Sequence, residues 1–146
     1  MKSTTRKVNN VYWSFRRYIH SQLNASYTIY WNPIAQPQPD TVDQWIIYES
    51  GSYDPGLITH VTPRIHCVSR NDTEGIDIES LVDAVVNIFD RQTTSRFIDF
   101  YDKTSATKIG EIEIISAVVG NAAPYSTGIQ SKSVNITARL KTARNK

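Results

Sequence analysis

The sequence predicts an α+β fold of two layers, in which two α-helices pack on a mostly antiparallel β-sheet in the order α-β-β-β-α-β-β-β. Two segments space apolar residues three or four positions apart, as one face of a helix requires. Other segments are rich in β-branched and aromatic residues, or alternate apolar with polar residues, which is typical of strands. Because the alternation leaves one sheet face polar, we expect a sheet that is covered on one side only.

The first helix is predicted over residues 10–23, with Asn9 or Asn10 as its cap. Its apolar residues recur every four positions, at Val11, Phe15, Ile19 and Leu23. A strand is expected at 27–31, where β-branched and aromatic residues are adjacent. Three prolines remove backbone donors from the segment that follows, so a loop is predicted over 32–43.

Two further strands are predicted before the second helix. The first covers 44–49 and is followed by turn-forming residues over 50–57, which close a hairpin or a longer loop. The second covers 57–70 and contains Pro63, which cannot donate a hydrogen bond to a neighbouring strand. We therefore expect an edge position, a bulge or the true start of the strand at this proline.

The second helix is predicted to begin at a capping Asp77 and to end near Phe89. Its apolar residues follow helical spacing, at Ile78, Leu81, Val82, Val85, Ile88 and Phe89. Asp77 and Glu79 suit the positive end of the helix dipole, and Arg91 lies just past the negative end.

Three strands are predicted after the second helix, over 96–101, 108–119 and 133–141. A turn joins the first two of these strands, and a polar loop over 120–132 precedes the third. The third strand is expected to point four residues inward, namely Val134, Ile136, Ala138 and Leu140.

The strand over 108–119 alternates in the same way. Ile112 and Ile114 are expected to point inward, and Glu111 and Glu113 to point outward. The two glutamates share a face at a spacing of about 7 Å, at which carboxylates can act together. Outward acids are also what solubility alone produces, and this is the reading that we favour.

The 146 residues, 40% of them hydrophobic, are expected to form a single domain over 1–146. Residues 1–8 and 142–146 are expected to be flexible basic tails. The sequence has no apolar run of the length of a transmembrane helix and no recognisable signal peptide. We therefore expect a chain that is made and assembled in a cytoplasm.

The net charge of +2 hides three blocks of unlike charge. Residues 1–23 carry five basic side chains and no acid, residues 40–102 carry twelve acids and four basic side chains, and residues 103–146 carry seven basic side chains and two acids. A nucleic-acid-binding protein more often presents one uncompensated basic face. Opposed blocks can neutralise each other within one chain or between neighbouring copies, or can simply be solvated surface.

The residues that carry chemistry in other proteins are not arranged for it in this sequence. His60 and His66 would lie about 20 Å apart on a continuous strand, which is too far for one metal ion. Cys67 faces the side of a strand opposite to His66 and is expected in the core. The common nucleotide, hydrolase and metalloprotease motifs are also missing from the sequence. We therefore predict that the protein is not an enzyme and has no catalytic, cofactor-binding or metal-binding residue.

Six segments in order carry a resemblance to a known family: DQWIIYE (43–49), IHCVS (65–69), IDIESLVDAVVNIF (76–89), RFIDFYD (96–102), KIGEIEII (108–115) and SVNITARLK (133–141). Over residues 8–141 this pattern resembles the lambda-type tail terminator proteins of long-tailed bacteriophages and related minor tail or tail-completion proteins. The proline-rich segment 33–39 and the basic tail do not align to the family. A neighbouring neck or head-completion protein is therefore the alternative.

The resemblance implies a structural virion protein whose α/β subunits form a ring, a hexamer in that family. The ring caps the growing tail tube, ends its polymerisation and forms the head–tail joining surface. The implied partners are other copies of the chain, the tail tube protein and a head–tail connector or neck protein. It implies no membrane, no cofactor and no specific nucleic acid, although DNA can pass through the ring. The implied location is the tail–neck junction of the virion, and the host cytoplasm during assembly.

A ring needs a heterologous interface, in which one patch on a subunit matches a different patch on the next. The loops over 32–43, 50–57 and 120–132 are expected to contact partners, because such contacts concentrate on loops held by a rigid sheet. Tyrosines in these loops are candidate anchors. The full set of candidates is Arg16, Arg17, Tyr53, Asp54, Tyr125, Arg139 and Lys141.

A nucleic-acid-binding α+β module is the less favoured alternative from another class. It depends on Arg16 and Arg17, which lie among the aromatic residues Trp13 and Tyr18 on the first helix. Arginine can hold phosphates and aromatic rings can stack on bases. Aromatic residues on a short amphipathic helix are more often part of the core.

Overall fold

The computed structural model describes residues 8–23, 26–31, 39, 41–89, 96–126 and 128–142, with the backbone alone for 123–126 and 142. The described residues form two helices and seven strands, in the order α1 (Val8–Leu23), β1 (Thr28–Tyr30), β2 (Gln44–Pro55), β3 (Thr59–Arg70), α2 (Ile76–Phe89), β4 (Phe97–Tyr101), β5 (Lys108–Val119), β6 (Ala123–Ser126) and β7 (Ile129–Thr142). The predicted α+β class is confirmed. The predicted order gains one strand, the short β6, between β5 and β7.

One sheet contains all seven of these strands, in the spatial order β1-β2-β3-β7-β5-β4, with β6 beside β7. β1 runs parallel to β2, and each of the other neighbouring pairs is antiparallel. The sheet is therefore mixed, and the predicted antiparallel arrangement holds for every pair but this one. A parallel pair needs a connection of a dozen or more residues, and residues 31–43 provide that length between β1 and β2.

The main core lies between the two helices and the inner face of the sheet. It combines the apolar stripes of both helices with inward residues of β2, β3, β4, β5 and β7. The four residues predicted to point inward from β7, Val134, Ile136, Ala138 and Leu140, are all buried. α2 lies over β3, β5 and β7, whereas α1 lies against β4 and β2. The amphipathic character predicted for both helices is thereby confirmed.

Polar side chains of α1 form hydrogen bonds at both edges of the sheet, near β4 and near β1. Ser14 Oγ accepts a hydrogen bond from the backbone amide of Tyr101 in β4 at 2.9 Å, and itself donates to the carbonyl of Asn10 at 2.7 Å. On the other side of the helix, the hydroxyl of Tyr12 donates to the carbonyl of Trp31, just after β1, at 3.5 Å. Because β1 and β4 end the strand order, the sheet must curl around α1 for both contacts to form.

The β2–β3 hairpin extends farther than predicted. β2 continues to Pro55, so residues 50–55 of the predicted loop 50–57 belong to a strand. The turn itself is confined to residues 56–58, and β3 then begins at Thr59. The turn-forming residues thus lie partly inside the strand, because an irregularity in β2 accommodates them.

That irregularity is a β-bulge opposite Pro63. The register of β2 against β3 shifts between Glu49 and Ser52, whereas β3 keeps one register with β7. Gly51 permits the bulge, since its φ is +68° and a Cβ there would lie 1.7 Å from the carbonyl oxygen of Thr62. Of the three arrangements predicted for Pro63, the bulge is therefore the one found, and it lies in the neighbouring strand.

α2 begins at Ile76 and is capped by Asp72, not by the predicted Asp77. Oδ2 of Asp72 accepts a hydrogen bond from the backbone amide of Ile78 at 2.8 Å. Burial by itself raises the pKa of Asp72, but hydrogen bonds from the backbone amides of Ile78, Asp77 and Gly75 outweigh it and lower the pKa. Asp72 precedes Ile78 by six residues, which is longer than the spacing of a capping box, and the sequence pattern therefore favoured Asp77, the acid closer to the helix.

The predicted polar loop 120–132 contains strand residues at two places. β6 occupies Ala123–Ser126, and β7 begins at Ile129, four residues before the predicted start of that strand. β6 pairs with β7 and continues the row of hydrogen bonds that β5 makes along the same edge. Few apolar residues alternate here, so the strand pattern is weak in the sequence.

Only one residue of each predicted tail lies within the described part of the chain. Val8 is the first residue of α1, and Thr142 is the last residue of β7. The rest of both predicted tails, most of the predicted loop 32–43 and the predicted C-terminal cation Arg91 lie outside the described residues.

Candidate assembly surfaces

The histidines and the cysteine of β3 are not brought together. β3 keeps one register with β7, so His60 and His66 remain six residues apart on the outer face of the sheet. Nε2 of His66 lies 3.2 Å from Oε1 of Glu49 in β2. Cys67 points to the opposite face, where burial raises the pKa of its thiol to about 12. Within the described ranges, no three His, Cys, Asp or Glu side chains are grouped so as to hold a metal ion.

The two helices carry charges of opposite sign. α1 contains two arginines and no acid, and α2 contains three acids and no lysine or arginine. The acids of α2, at Asp77, Glu79 and Asp83, are exposed. Because both helices lie on one face of the sheet, this layer presents a basic helix and an acidic helix to its surroundings. Neither helix is long and apolar enough to cross a membrane.

Both arginines of α1, which were predicted to contact a partner, lie over aromatic rings. Cζ of Arg16 is 5.0 Å from the ring centroid of Trp31, and its Nη1 is 3.4 Å from the hydroxyl of Tyr12. Cζ of Arg17 is 4.1 Å from the ring centroid of Tyr101. Such contacts attract the guanidinium without neutralising its charge. The rings therefore hold two positive charges at defined positions on α1.

Arg17 also lines a shallow pocket between α1 and β4. The pocket has a volume of about 150 Å³ and is lined by Ser14, Arg17, Tyr18, Ser21, Asp99 and Tyr101. Its size suits a few water molecules and is well below that of typical ligand sites. We therefore assign it no ligand.

Arg139 and Lys141, the two other basic candidates, lie on the outer face of β7 beside Glu113 of β5. Nε of Arg139 donates to Oε1 of Glu113. Nε of Arg96 lies 3.2 Å from Oε2, and Nζ of Lys141 lies 3.6 Å from Oε1 of the same carboxylate. The ring of Phe97 lies between two of these cations, 5.0 Å from Cζ of Arg96 and 5.3 Å from Nζ of Lys141.

Glu113 faces outward as predicted, but it is buried. Its side chain is 6% exposed, whereas its three cationic partners are between 36% and 47% exposed. Burial by itself raises the pKa of Glu113, but the hydrogen bond and charge of Arg139, with the charges of Lys141 and Arg96, outweigh it and lower the pKa. Glu113 is therefore ionised at neutral pH, and Arg139 and Lys141 neutralise a charge of their own chain.

Two further ion pairs join the acidic block of the sequence to its C-terminal basic block. Oδ1 of Asp99 lies 3.0 Å from Nζ of Lys108, and the hydrogen bond between them raises the pKa of the lysine. Oε1 of Glu79 contacts Nζ of Lys132. The opposed blocks are thus partly neutralised within one chain, a possibility that the sequence left open beside contact between copies.

The remaining interface candidates fall at three different places. Tyr53 is in β2, and its ring packs against the main core instead of projecting from a loop. Asp54 is exposed at the end of the hairpin, across from His60. The backbone of Tyr125 belongs to β6, and its side chain lies outside the described residues. A strand position for Tyr53 removes the basis on which it was predicted to anchor a partner.

The comparisons with known proteins establish the fold. No protein-family model matches the chain, and no curated protein matches it in sequence. Eight chains of solved structures match its fold. One of them has a TM-score of 0.67 and 6% sequence identity, over 96% of this chain and 99% of that chain. A likeness at this identity shows a shared fold and says nothing about shared activity.

Proposed function

We propose that this chain is a structural virion protein that caps a phage tail tube as a ring, ends tube polymerisation and forms the head–tail joining surface. Its partners are copies of itself, six in the ring, together with the tail tube protein and a connector or neck protein. It acts by assembly, without catalysis, cofactor or membrane. The resemblance to tail terminators over residues 8–141 supports this proposal.

The observation that carries the proposal is the separation of charge between α1 and α2. A closed ring needs two different surfaces on each subunit that fit one another. A helix with two arginines and no acid, and a neighbouring helix with three acids and no basic residue, provide two such surfaces on one chain. Complementary charge steers encounter and fixes orientation more than it adds affinity. The acidic face of α2 on one copy would thus meet the basic face of α1 on the next.

Light scattering on the full-length chain, over a range of protein and salt concentrations, tests this contact. We expect association to weaken as salt rises, because the screening length falls from about 10 Å at 0.1 M to about 3 Å at 1 M. Asp83→Lys reverses a charge on the acidic helix and should weaken association. Asp43→Lys, which reverses an exposed charge just before β2, is the matched control and should not.

Two outcomes would contradict the proposal. One is a wild-type chain that remains a single 16.6 kDa subunit at every concentration and salt. The other is association that neither salt nor Asp83→Lys changes, which would exclude the charged helix faces as the contact.

A neighbouring neck or head-completion protein is the second candidate, because the proline-rich segment 33–39 has no counterpart in the terminator pattern. The two roles differ in what the ring binds first. A terminator binds the end of a tail tube and stops its growth, whereas a head-completion protein binds the connector without affecting tube length. Electron microscopy of tubes grown with and without the chain distinguishes the two roles.

A further inference from the structure

Trp13 lies on the face of α1 that points away from the sheet. The exposed residues Asn9, Arg17 and His20 are four residues before it and four and seven residues after it, so helical spacing places them on the same face. Trp13 itself is half-buried, but within the described part of the chain it belongs to neither cluster of core residues. Its ring therefore contributes little to the core of its own chain.

The accessible part of the Trp13 side chain is apolar. Nε1 is the only polar atom of a tryptophan side chain, and in Trp13 this atom is shielded from solvent. Solvent therefore reaches only carbon atoms of the indole. Burial of that carbon surface against another molecule would release it from water, which favours association.

Two cations at defined positions flank Trp13. Arg16 and Arg17 follow it by three and four residues. Their guanidinium groups lie over the rings of Trp31 and Tyr101. Tryptophan, tyrosine and arginine are the residues that most often dominate the binding energy of protein–protein interfaces. We call Trp13, Arg16 and Arg17 the tryptophan patch.

The first two turns of α2 have the matching character. Ile76 is 60% exposed, and Ser80 and Asp83, four and seven residues later, are exposed on the same face of the helix. Glu79, which is also exposed, adds a second carboxylate. We call residues 76–83 the acidic turns. Like the tryptophan patch, they combine an accessible apolar side chain with charge, but the charge has the opposite sign.

We infer that the tryptophan patch of one copy packs on the acidic turns of the next copy, with the indole of Trp13 on Ile76 and the guanidinium of Arg17 beside Asp83. This inference rests on the self-assembly of the proposed function, and it adds an apolar anchor to the charged contact between the helices. Trp13 and Arg17 are about 6 Å apart along α1, and Ile76 and Asp83 are about 10 Å apart along α2. The long side chain of arginine spans the difference.

The contact has to form between two copies. Within one chain, α1 meets the C-terminal end of α2 through Phe15 and Tyr18, whose ring centroids lie 6.5 Å and 5.6 Å from that of Phe89. At 3.6 residues per turn, Trp13 lies about 160° round the helix from Phe15 and about 140° from Tyr18, so it faces away from α2. Ile76 is thirteen residues before Phe89, which is about 20 Å along α2. Because the two surfaces differ, the contact is head-to-tail, which is the kind that closes a ring.

Mixing two variants tests this contact. Trp13→Asp spoils the tryptophan patch and keeps the acidic turns, whereas Ile76→Asp does the reverse. Each variant alone should associate at least roughly tenfold more weakly than wild type, because a charge replaces the buried apolar contact. An equal mixture should form dimers, since one intact patch and one intact set of acidic turns remain. Val118→Asp is the matched control, because Val118 is 58% exposed on β5 and lies in neither surface, and it should associate like wild type.

Fluorescence provides a second test that reports on Trp13 itself. Quenching of tryptophan emission by acrylamide should fall when the wild-type chain associates, because the indole of Trp13 then leaves water. Trp13→Phe keeps an apolar ring and should still associate, but most of that fall should be absent. Sedimentation velocity gives the masses, and circular dichroism verifies that each variant is folded.

The outcomes separate this inference from the proposed function. If association depends on salt and on Asp83→Lys, but not on Trp13→Asp or Ile76→Asp, the charged faces still meet and the apolar anchor is wrong. If both single variants are monomers and their mixture is also monomeric, the pairing of these two surfaces is wrong. If Trp13→Asp associates like wild type but loses retention on a single-stranded oligonucleotide, the patch binds nucleic acid instead of a second copy. If the wild-type chain never associates, the self-assembly on which both proposals rest is contradicted.

Discussion

Glu113→Gln tests the buried charge cluster on the outer face of the sheet. Glutamine keeps the size of the side chain and one carbonyl acceptor but removes the negative charge that three cations surround. A hydrogen bond to a charged group contributes about 1.5–3 kcal/mol when buried, and ion pairs with exposed partners contribute about 0–1 kcal/mol. Arg139 donates directly to Glu113, whereas Arg96 and Lys141 are 47% exposed.

We therefore expect Glu113→Gln to lower the free energy of unfolding by about 2 kcal/mol at pH 7. For a chain of this size, that loss lowers the melting temperature by roughly 4–8 °C. Glu111→Gln is the control, because Glu111 lies on the same strand and face as Glu113 but outside the charge cluster. We expect this substitution to change the free energy of unfolding by less than about 0.5 kcal/mol. Urea unfolding followed by circular dichroism measures both variants.

The effect of Glu113→Gln also has a defined pH dependence. The folded-state pKa of Glu113 is lowered from its ordinary value of 4.5, so its stabilising contribution is present above that value and is lost as the pH falls through the folded pKa. The difference between wild type and variant should therefore shrink towards zero in acid. A difference that is constant from pH 7 to pH 3, or absent at pH 7, would refute the assignment of a buried, ionised carboxylate.

Three further predictions concern the hairpin, the core and the thiol. Gly51→Ala should destabilise the fold by about 2–4 kcal/mol, because φ is +68° and the new Cβ meets the backbone of Thr62; a chemical denaturation midpoint equal to wild type would contradict the bulge. Tyr53→Ala should lower the free energy of unfolding by about 1–2 kcal/mol and leave association unchanged, because the ring packs on the core. If the variant is fully folded but associates more weakly, Tyr53 contacts a partner after all. Cys67 should react with a thiol reagent at pH 8 only as fast as the folded structure opens to expose it, because burial raises the pKa of its thiol to about 12. Complete labelling of the native protein on mixing would contradict this burial.

The local sequence pattern correctly predicted those helices and strands in which the same kind of contact recurs at regular spacing along the whole element. β5 has the predicted bounds, and both helices are present with the predicted apolar faces. Apolar spacing suffices there, because each residue of the stripe meets the same buried layer. The direction of β1 was not predicted, since a three-residue strand has no pattern that distinguishes parallel from antiparallel pairing.

The candidate surfaces were less predictable, because their side chains come from distant parts of the chain. Glu113 reads as an ordinary solvent-facing acid until β7 places Arg139 and Lys141 beside it. Arg16 and Arg17 were selected for their charge, but the rings beneath them come from elsewhere in the fold. Leu57 was predicted at the border between the loop 50–57 and the strand 57–70, whereas it lies in the turn between β2 and β3 and is fully exposed.

Negative-stain electron microscopy of the full-length wild-type chain tests the central claim most directly. If the protein works by fitting against copies of itself, particles should be closed rings with sixfold rotational symmetry and no larger species. Single 16.6 kDa subunits at every concentration, or open filaments of indefinite length, would contradict that claim.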